Sequence, residues 1–230
     1  MSNQDAYITL ISSFPASERL FIEKQAPLSR LRLDQRLKAL TPDDANTLLS
    51  IESLFAWQHY SMDDSDEAII QRARQVLAQI RQPTLRAIIT ERLELRTAVA
   101  ALRLRKEGAV APISPWGFGR WTKTIEANWA DAVFALGTAM PWLHEANNLI
   151  NNQDPLGFER YILQVTYRQL QRHGARHSFD FEAVVIYVLK WHIFDRWSHS
   201  NTEAAARRFE ALVQSALGKY ADASALGEIK

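Results

Sequence analysis

Capping signals recur along this chain at the ends of its apolar periodic runs, and they constrain its fold class more than any other feature. In "TPDDANTLLSIESLFAWQHY" Thr41 stands as N-cap, Pro42 at the first helical position, and Asp43 and Asp44 in the first turn. Proline loses nothing there, because the first amides of a helix have no carbonyl partner. Acids gain from the positive end of the helix dipole. "QDPLGFERYILQVTYRQLQRHG" repeats the device, with Asp154 as cap, Pro155 next and Gly174 as stop. "DDSDEAIIQRARQVLAQI" opens with acids and then runs apolar at Ile69, Ile70, Ala73, Val76, Leu77 and Ile80. Pro83 opens a long helix that Gly108 closes, and "NTEAAARRFEALVQSALG" is capped at Asn201 and ends at Gly218. No hairpin dipeptide separates alternating runs, so the expected fold is all-α. Two segments carry β-branched residues that also suit strands, "YITLISSF" and "FEAVVIYVL". The second stays apolar through Trp191, Ile193, Phe194 and Trp197, too long for a strand, and is read as a buried helix.

The charge balance narrows the function classes. Lys and Arg total 27 against 26 acidic residues, a net charge of +1, so no whole-molecule field draws the chain to nucleic acid. The absence of cysteine excludes disulfides, cysteine-ligated zinc and thiol catalysis. The opening "MSNQDAYITLISSFP" has no basic leader before its apolar run, so no signal peptide is expected. The apolar run "AVVIYVL" stops at Lys190, short of the roughly 20 residues a membrane span needs. A cytoplasmic protein is expected, touching a membrane only indirectly through a complex. It is expected to form a single helical domain over 1–230, an elongated array with related lobes at 1–110 and 120–230 joined by the Pro/Gly loop at 111–119. Trp116 and Trp121 flank the glycines of that loop and are candidate exposed anchors for a protein partner.

"ERLELRTAVAALRLRKEG", Glu91 to Gly108, mixes cations with leucines inside one helix. At about 100° per residue, Arg92, Arg96, Arg103 and Lys106 fall within roughly 80° of one another, with Val99 among them. Leu95, Ala98 and Leu102 lie on one flank of this basic stripe, and Leu93, Ala100 and Leu104 on the other. Two apolar flanks imply packing between neighbouring helices, with the stripe lining a groove or pairing with buried acids. The alternative is a solvated face whose long side chains lie over the leucines.

"LELRTAVAALRLRKEG" resembles the signature helix of the C (or d) subunit family of V/A-type ATPases, through Leu95, Arg96, Thr97, Leu102, Arg103, Arg105, Lys106, Glu107 and Gly108. "FEAVVIYVLKWHIFDRW" is similar to a second helix of that family through Ala183, Tyr187, Leu189, Lys190 and Arg196, with Trp191, His192 and Phe194 where the family has glutamates. "YITLISSFP" resembles the start of short bacterial proteins associated with V-type ATPases. The resemblance implies a non-catalytic, central-stalk role, with the rotor shaft and the membrane ring as partners. The family's chains are longer and built as three helical lobes, whereas this one is too short for three. On this resemblance Arg92, Arg96, Arg103 and Lys106 line a socket for carboxylates of an inserted shaft, with Lys190 and Arg196 as second choices.

The enzyme-like motifs are weaker. "HEANN" at His144 has Asn148 where a second zinc ligand must stand, and Gly174 interrupts the helical spacing of His173 and His177. "DDSDE", Asp63 to Glu67, has the composition of a magnesium-binding cluster, but acids at a helix start answer the dipole. "WGFGRW" has no strand before its glycines, as a phosphate loop requires. No catalytic residue, metal or cofactor is expected. A helical adaptor is the alternative function, and a magnesium-dependent enzyme using the "DDSDE" acids a weaker one.

Overall fold

The computed structural model describes residues 3–16, 20–22, 26–55, 66–113 and 116–200. Eight helices run in the order α1 (Asn3–Ser12), α2 (Arg30–Leu37), α3 (Pro42–Phe55), α4 (Asp66–Gln79), α5 (Pro83–Lys106), α6 (Thr122–Ala127), α7 (Trp142–Asn151) and α8 (Pro155–Gly174). A further helix, α9, occupies 181–200. No strand occurs among the described residues, and the all-α expectation holds. "YITLISSF" is helical in α1 for most of its length, and "FEAVVIYVL" is the start of α9. No described helix is long and apolar enough to cross a membrane. The helix expected between Asn201 and Gly218, and Asp63 and Asp64 of the acidic run, lie outside the described residues.

The capping chemistry read from the sequence is present. Thr41 Oγ1 accepts from the Asp44 amide at 3.2 Å, and Asp154 accepts from the Gly157 amide at 2.8 Å. Gly108, at φ +91°, ends α5. Its amide bonds to the Arg105 carbonyl and that of Ala109 to the Leu104 carbonyl, a Schellman closure that only a left-handed residue permits.

The buried side chains form two clusters, and these divide the chain differently from lobes before and after the 111–119 loop. One cluster joins Leu33, Leu48, Ile51 and Leu54 to Leu85, Ile88, Ile89 and Leu93 of α5, Leu163, Tyr167 and Leu170 of α8, and the apolar face of α9. The other joins Leu95, Ala98, Ala101 and Leu102 of α5 to Trp116, Ile125, Phe134, Leu143 and Phe158. At 24 residues, α5 is about 36 Å long, enough to run through both clusters. Helix α8 does the same in the opposite sense of sequence. The middle of the chain therefore builds one core, and its two flanking regions build the other.

One ionic network pins the first core. Glu52, only 8% exposed, accepts from Arg30 Nη1 at 2.7 Å and lies 2.6 Å from His192 Nε2. It thus ties α2 and α9 to α3. Trp191 donates its indole N–H to the Leu28 carbonyl at 2.7 Å, and the Arg30 guanidinium lies over the Trp191 ring. Burial alone would raise the Glu52 pKa, but the hydrogen bonds from His192 and Arg30 outweigh it and hold the carboxyl below its ordinary value. A depressed folded-state pKa gives stability that is complete above the unfolded value of about 4.3 and lost as pH falls through the folded value. Glu52→Gln should cost about 1.5–3 kcal/mol in urea unfolding at neutral pH and flatten the acid limb of stability. An acid limb unchanged by the substitution would mean that Glu52 carries no such linkage.

Candidate functional site

The loop after α5 is clamped onto that helix, and the clamp creates a cleft. Gly117 (φ +63°) and Gly119 (φ +101°) adopt left-handed conformations. A Cβ at Gly117 would lie 2.5 Å from Thr97 Cγ2, and one at Gly119 2.3 Å from Glu94 Cγ. Both glycines of "WGFGRW" are therefore demanded twice, by backbone conformation and by contact with α5. The Phe118 amide donates to Thr97 Oγ1 at 2.7 Å, and the Arg120 amide donates to Glu94 Oε1 at 3.2 Å. Thr97 and Glu94 are each only 5% exposed, so these loop amides supply partners to polar groups that are almost wholly covered.

The cleft has a volume of about 610 Å³. Glu91, Glu94 and Leu95 of α5 form one wall; Tyr161, Val165, Arg168, Gln169 and Arg172 of α8 form another; Arg120, Trp121, Met140 and Trp142 complete it. Its charges are unequally occupied. Arg172 Nη2 is 2.7 Å from Glu91 Oε2, and His173 Nε2 is 3.2 Å from the same oxygen. Arg120 Nε is 3.6 Å from Glu94, and its exposed guanidinium stacks on Trp121 at 4.7 Å. Arg168 is exposed and has no carboxylate at ion-pair distance among the described residues. Burial, with Glu145 nearby, raises the Tyr161 pKa against the opposing effect of Arg168, so the phenol remains a proton donor at neutral pH. The cleft thus offers cationic and O–H donors between tryptophans, while both of its carboxylates already have partners. That set suits an anionic group borne on an apolar or aromatic body.

Of the candidate partner-binding residues read from the sequence, Trp121 alone lines this cleft. Trp116 is not an exposed anchor: it is 7% exposed, donates to Glu126, and packs edge-on to Trp129 in the second core. Its indole lies on the inner side of the clamped loop. The basic stripe is dispersed among separate tasks. The Arg92 guanidinium lies over the Phe55 ring at 4.8 Å, and its buried Nη1 has no hydrogen-bond partner among the described residues. Burial, then Arg96 and Arg196, lowers the Arg92 pKa to about 9, leaving it cationic at neutral pH. Arg96 donates to the Leu54 carbonyl at 2.9 Å, in the last turn of α3, where the dipole favours a cation. Arg103 lies over Phe158, Lys106 is exposed, and Lys190 Nζ lies 5.4 Å from the Tyr167 ring centre. Arg196 forms a two-pronged pair with Glu159.

The structure brings Arg92, Arg96 and Arg196 into one electrostatic neighbourhood. It does not give the stripe two packed flanks: Leu93 is buried, but Ala100 and Leu104 are exposed. Sequence reasoning missed Arg120, Arg168, Arg172, Trp142 and Tyr161. The available signal was the mixed face Tyr161, Val165, Arg168, Gln169 and Arg172, one side of a single helix by its spacing. In comparisons with family models, curated proteins and solved structures, none matches this chain.

Gly119→Ala tests the clamp. Strain at positive φ together with the Glu94 contact should lower stability by about 1–3 kcal/mol and alter tryptophan emission from Trp121. A wild-type melting curve and spectrum would show that the loop is not held against Glu94.

Proposed function

We propose that the chain is a non-catalytic subunit or accessory of a V/A-type ATPase, related to the central-stalk C/d subunit, and that its cleft receives an acidic segment of the rotor shaft. The observation that carries this reading is the charge state of the cleft: three guanidinium groups, from Arg120, Arg168 and Arg172, border it, and its two carboxylates are already engaged. A shaft helix presenting Glu or Asp beside an apolar residue would meet Arg168 and the Trp121–Trp142 walls together. The resemblance of α5 and α9 to two helices of that family supplies the ATPase context, and the all-α architecture is compatible with it. Such charge contacts fix register and speed encounter more than they add affinity.

The partner surface proposed here differs from the Arg92–Lys106 stripe. Arg96 holds the end of α3 and Arg92 is sunk over Phe55, so neither is available as a simple socket lining. The family's docking chemistry would be served instead by α8 and the clamped loop. Membrane contact in this reading is indirect, through the ring subunits of the assembled enzyme, and the location is cytoplasmic.

Binding of the purified shaft subunit from the same organism's V/A-type ATPase, followed by calorimetry, tests the reading. Arg168→Glu should weaken binding at least about tenfold, equivalent to about 1.4 kcal/mol, and leave the melting temperature unchanged because Arg168 is exposed. Raising salt should weaken the wild-type complex in the same direction. Failure of the wild type to bind the shaft, or equal affinity of the variant, removes the proposal.

A further inference from the structure

The corner between α8 and α9 gathers a second, unrelated set of side chains. His177, Asp180 and Glu182 each offer one ligand atom, and these atoms all lie within 4.8 Å of one another. His177 Nδ1 is 2.7 Å from Asp180 Oδ2, and its Nε2 is 3.1 Å from Thr84 Oγ1. Asp180 uses its other oxygen to accept from the Ala183 amide at 2.8 Å. All three side chains are partly buried.

Helix capping accounts for Asp180 but not for the rest. A cap needs one oxygen, and Asp180 Oδ1 serves. The second oxygen, the Glu182 carboxylate and the imidazole Nδ1 converge beyond it. Among the described residues no Lys or Arg pairs with either carboxylate. The surroundings add negative charge: the Tyr7 phenol donates to Asp44, and burial first, then Asp44 and the field of Glu182, raise its pKa. The imidazole is oriented from outside the cluster. Nδ1–H donates to Asp180 Oδ2, and an ion bound at Nδ1 would displace that proton while Thr84 Oγ1 keeps the ring oriented through Nε2.

We propose that His177, Asp180 and Glu182 bind a divalent zinc-class ion through Nδ1 and one oxygen from each carboxylate. Nitrogen and oxygen donors in this number suit Zn²⁺ with a further position left to water. Ligand bonds of about 2.0–2.2 Å place tetrahedral donors about 3.4 Å apart. The present spacing reaches that by side-chain rotation: the His177–Asp180 contact opens slightly and Glu182 swings inward. Binding ties α9 and the α8–α9 corner to Thr84 at the start of α5 and raises stability.

The test uses the full chain, freed of metal by a chelator, and titrates Zn²⁺ by calorimetry and Co²⁺ by visible absorption. Saturable one-to-one binding and the intense bands of four-coordinate Co²⁺ are the expected result, with a higher melting temperature on adding Zn²⁺. Glu182→Gln preserves size and helix and should weaken binding at least about tenfold. Asp180→Ser keeps a capping oxygen while removing the carboxylate, and should do the same. His177→Ala should abolish the cobalt bands, whereas His144→Ala should leave them intact. Absence of saturable binding by the wild type overturns the proposal, as does binding unaffected by Glu182→Gln and Asp180→Ser.

Discussion

Helix α5 runs through both hydrophobic cores, and the rest of the structure is arranged around that constraint. Its first half contributes to one core and its second half to the other, so Glu94 and Thr97 fall where they are almost wholly covered. A carboxylate and a hydroxyl in such positions cost free energy unless they are hydrogen-bonded. The loop from Trp116 to Arg120 supplies the partners through its own amides, and it can come near enough only because Gly117 and Gly119 lack side chains. The same close approach sets Trp121 and Arg120 at the edge of the cleft. The site is therefore a consequence of satisfying buried polar groups on α5.

The mixture of arginine and leucine in α5 has a related explanation. A long guanidinium side chain can cross an apolar surface and still deliver its donors to a carbonyl or lie on a ring. Arg96 reaches the last turn of α3. Arg105 donates to the Asp131 and Ala132 carbonyls and to Asn147, and lies over Phe134. That contact braces a turn in which Phe134 and Ala135 take positive φ and Asp131 accepts from two amides. Leucines on the same helix fill the cores while arginines secure elements that terminate against it.

Local chemistry was legible in the sequence wherever it depended on near neighbours. Thr41, Asp154 and Gly108 act within a few residues of themselves, so spacing alone identified their roles. The helical state of α9 followed from the length of its apolar run. Partnerships across the fold were not legible. Trp116 lies beside Gly117 in a loop, which suggests exposure, yet its indole is covered by Trp129 and the second core. The stripe from Arg92 to Lys106 is a property of one helix in isolation. Which neighbour meets each cation depends on where α3, α8 and α9 end, and no periodicity in α5 encodes that. The cleft was missed for the same reason, since its walls come from four separated segments.

The two proposed sites share one physical support. Thr84 and Glu91 are seven residues apart on α5, two helical turns, and so project from the same side of it. Glu91 holds Arg172 and His173 at the end of α8, and Thr84 holds His177 just beyond. The α8–α9 corner is thus hung from α5 at two points, one bordering the cleft and one bordering the His177 cluster. Any ion that tightens His177 onto Thr84 also restrains the segment that carries Arg172. Ordering that segment in advance lowers the entropy an incoming acidic partner must overcome at the cleft. Coupling of this kind needs no change of shape, because it acts through the freedom of one short corner anchored to a helix that both cores hold rigid.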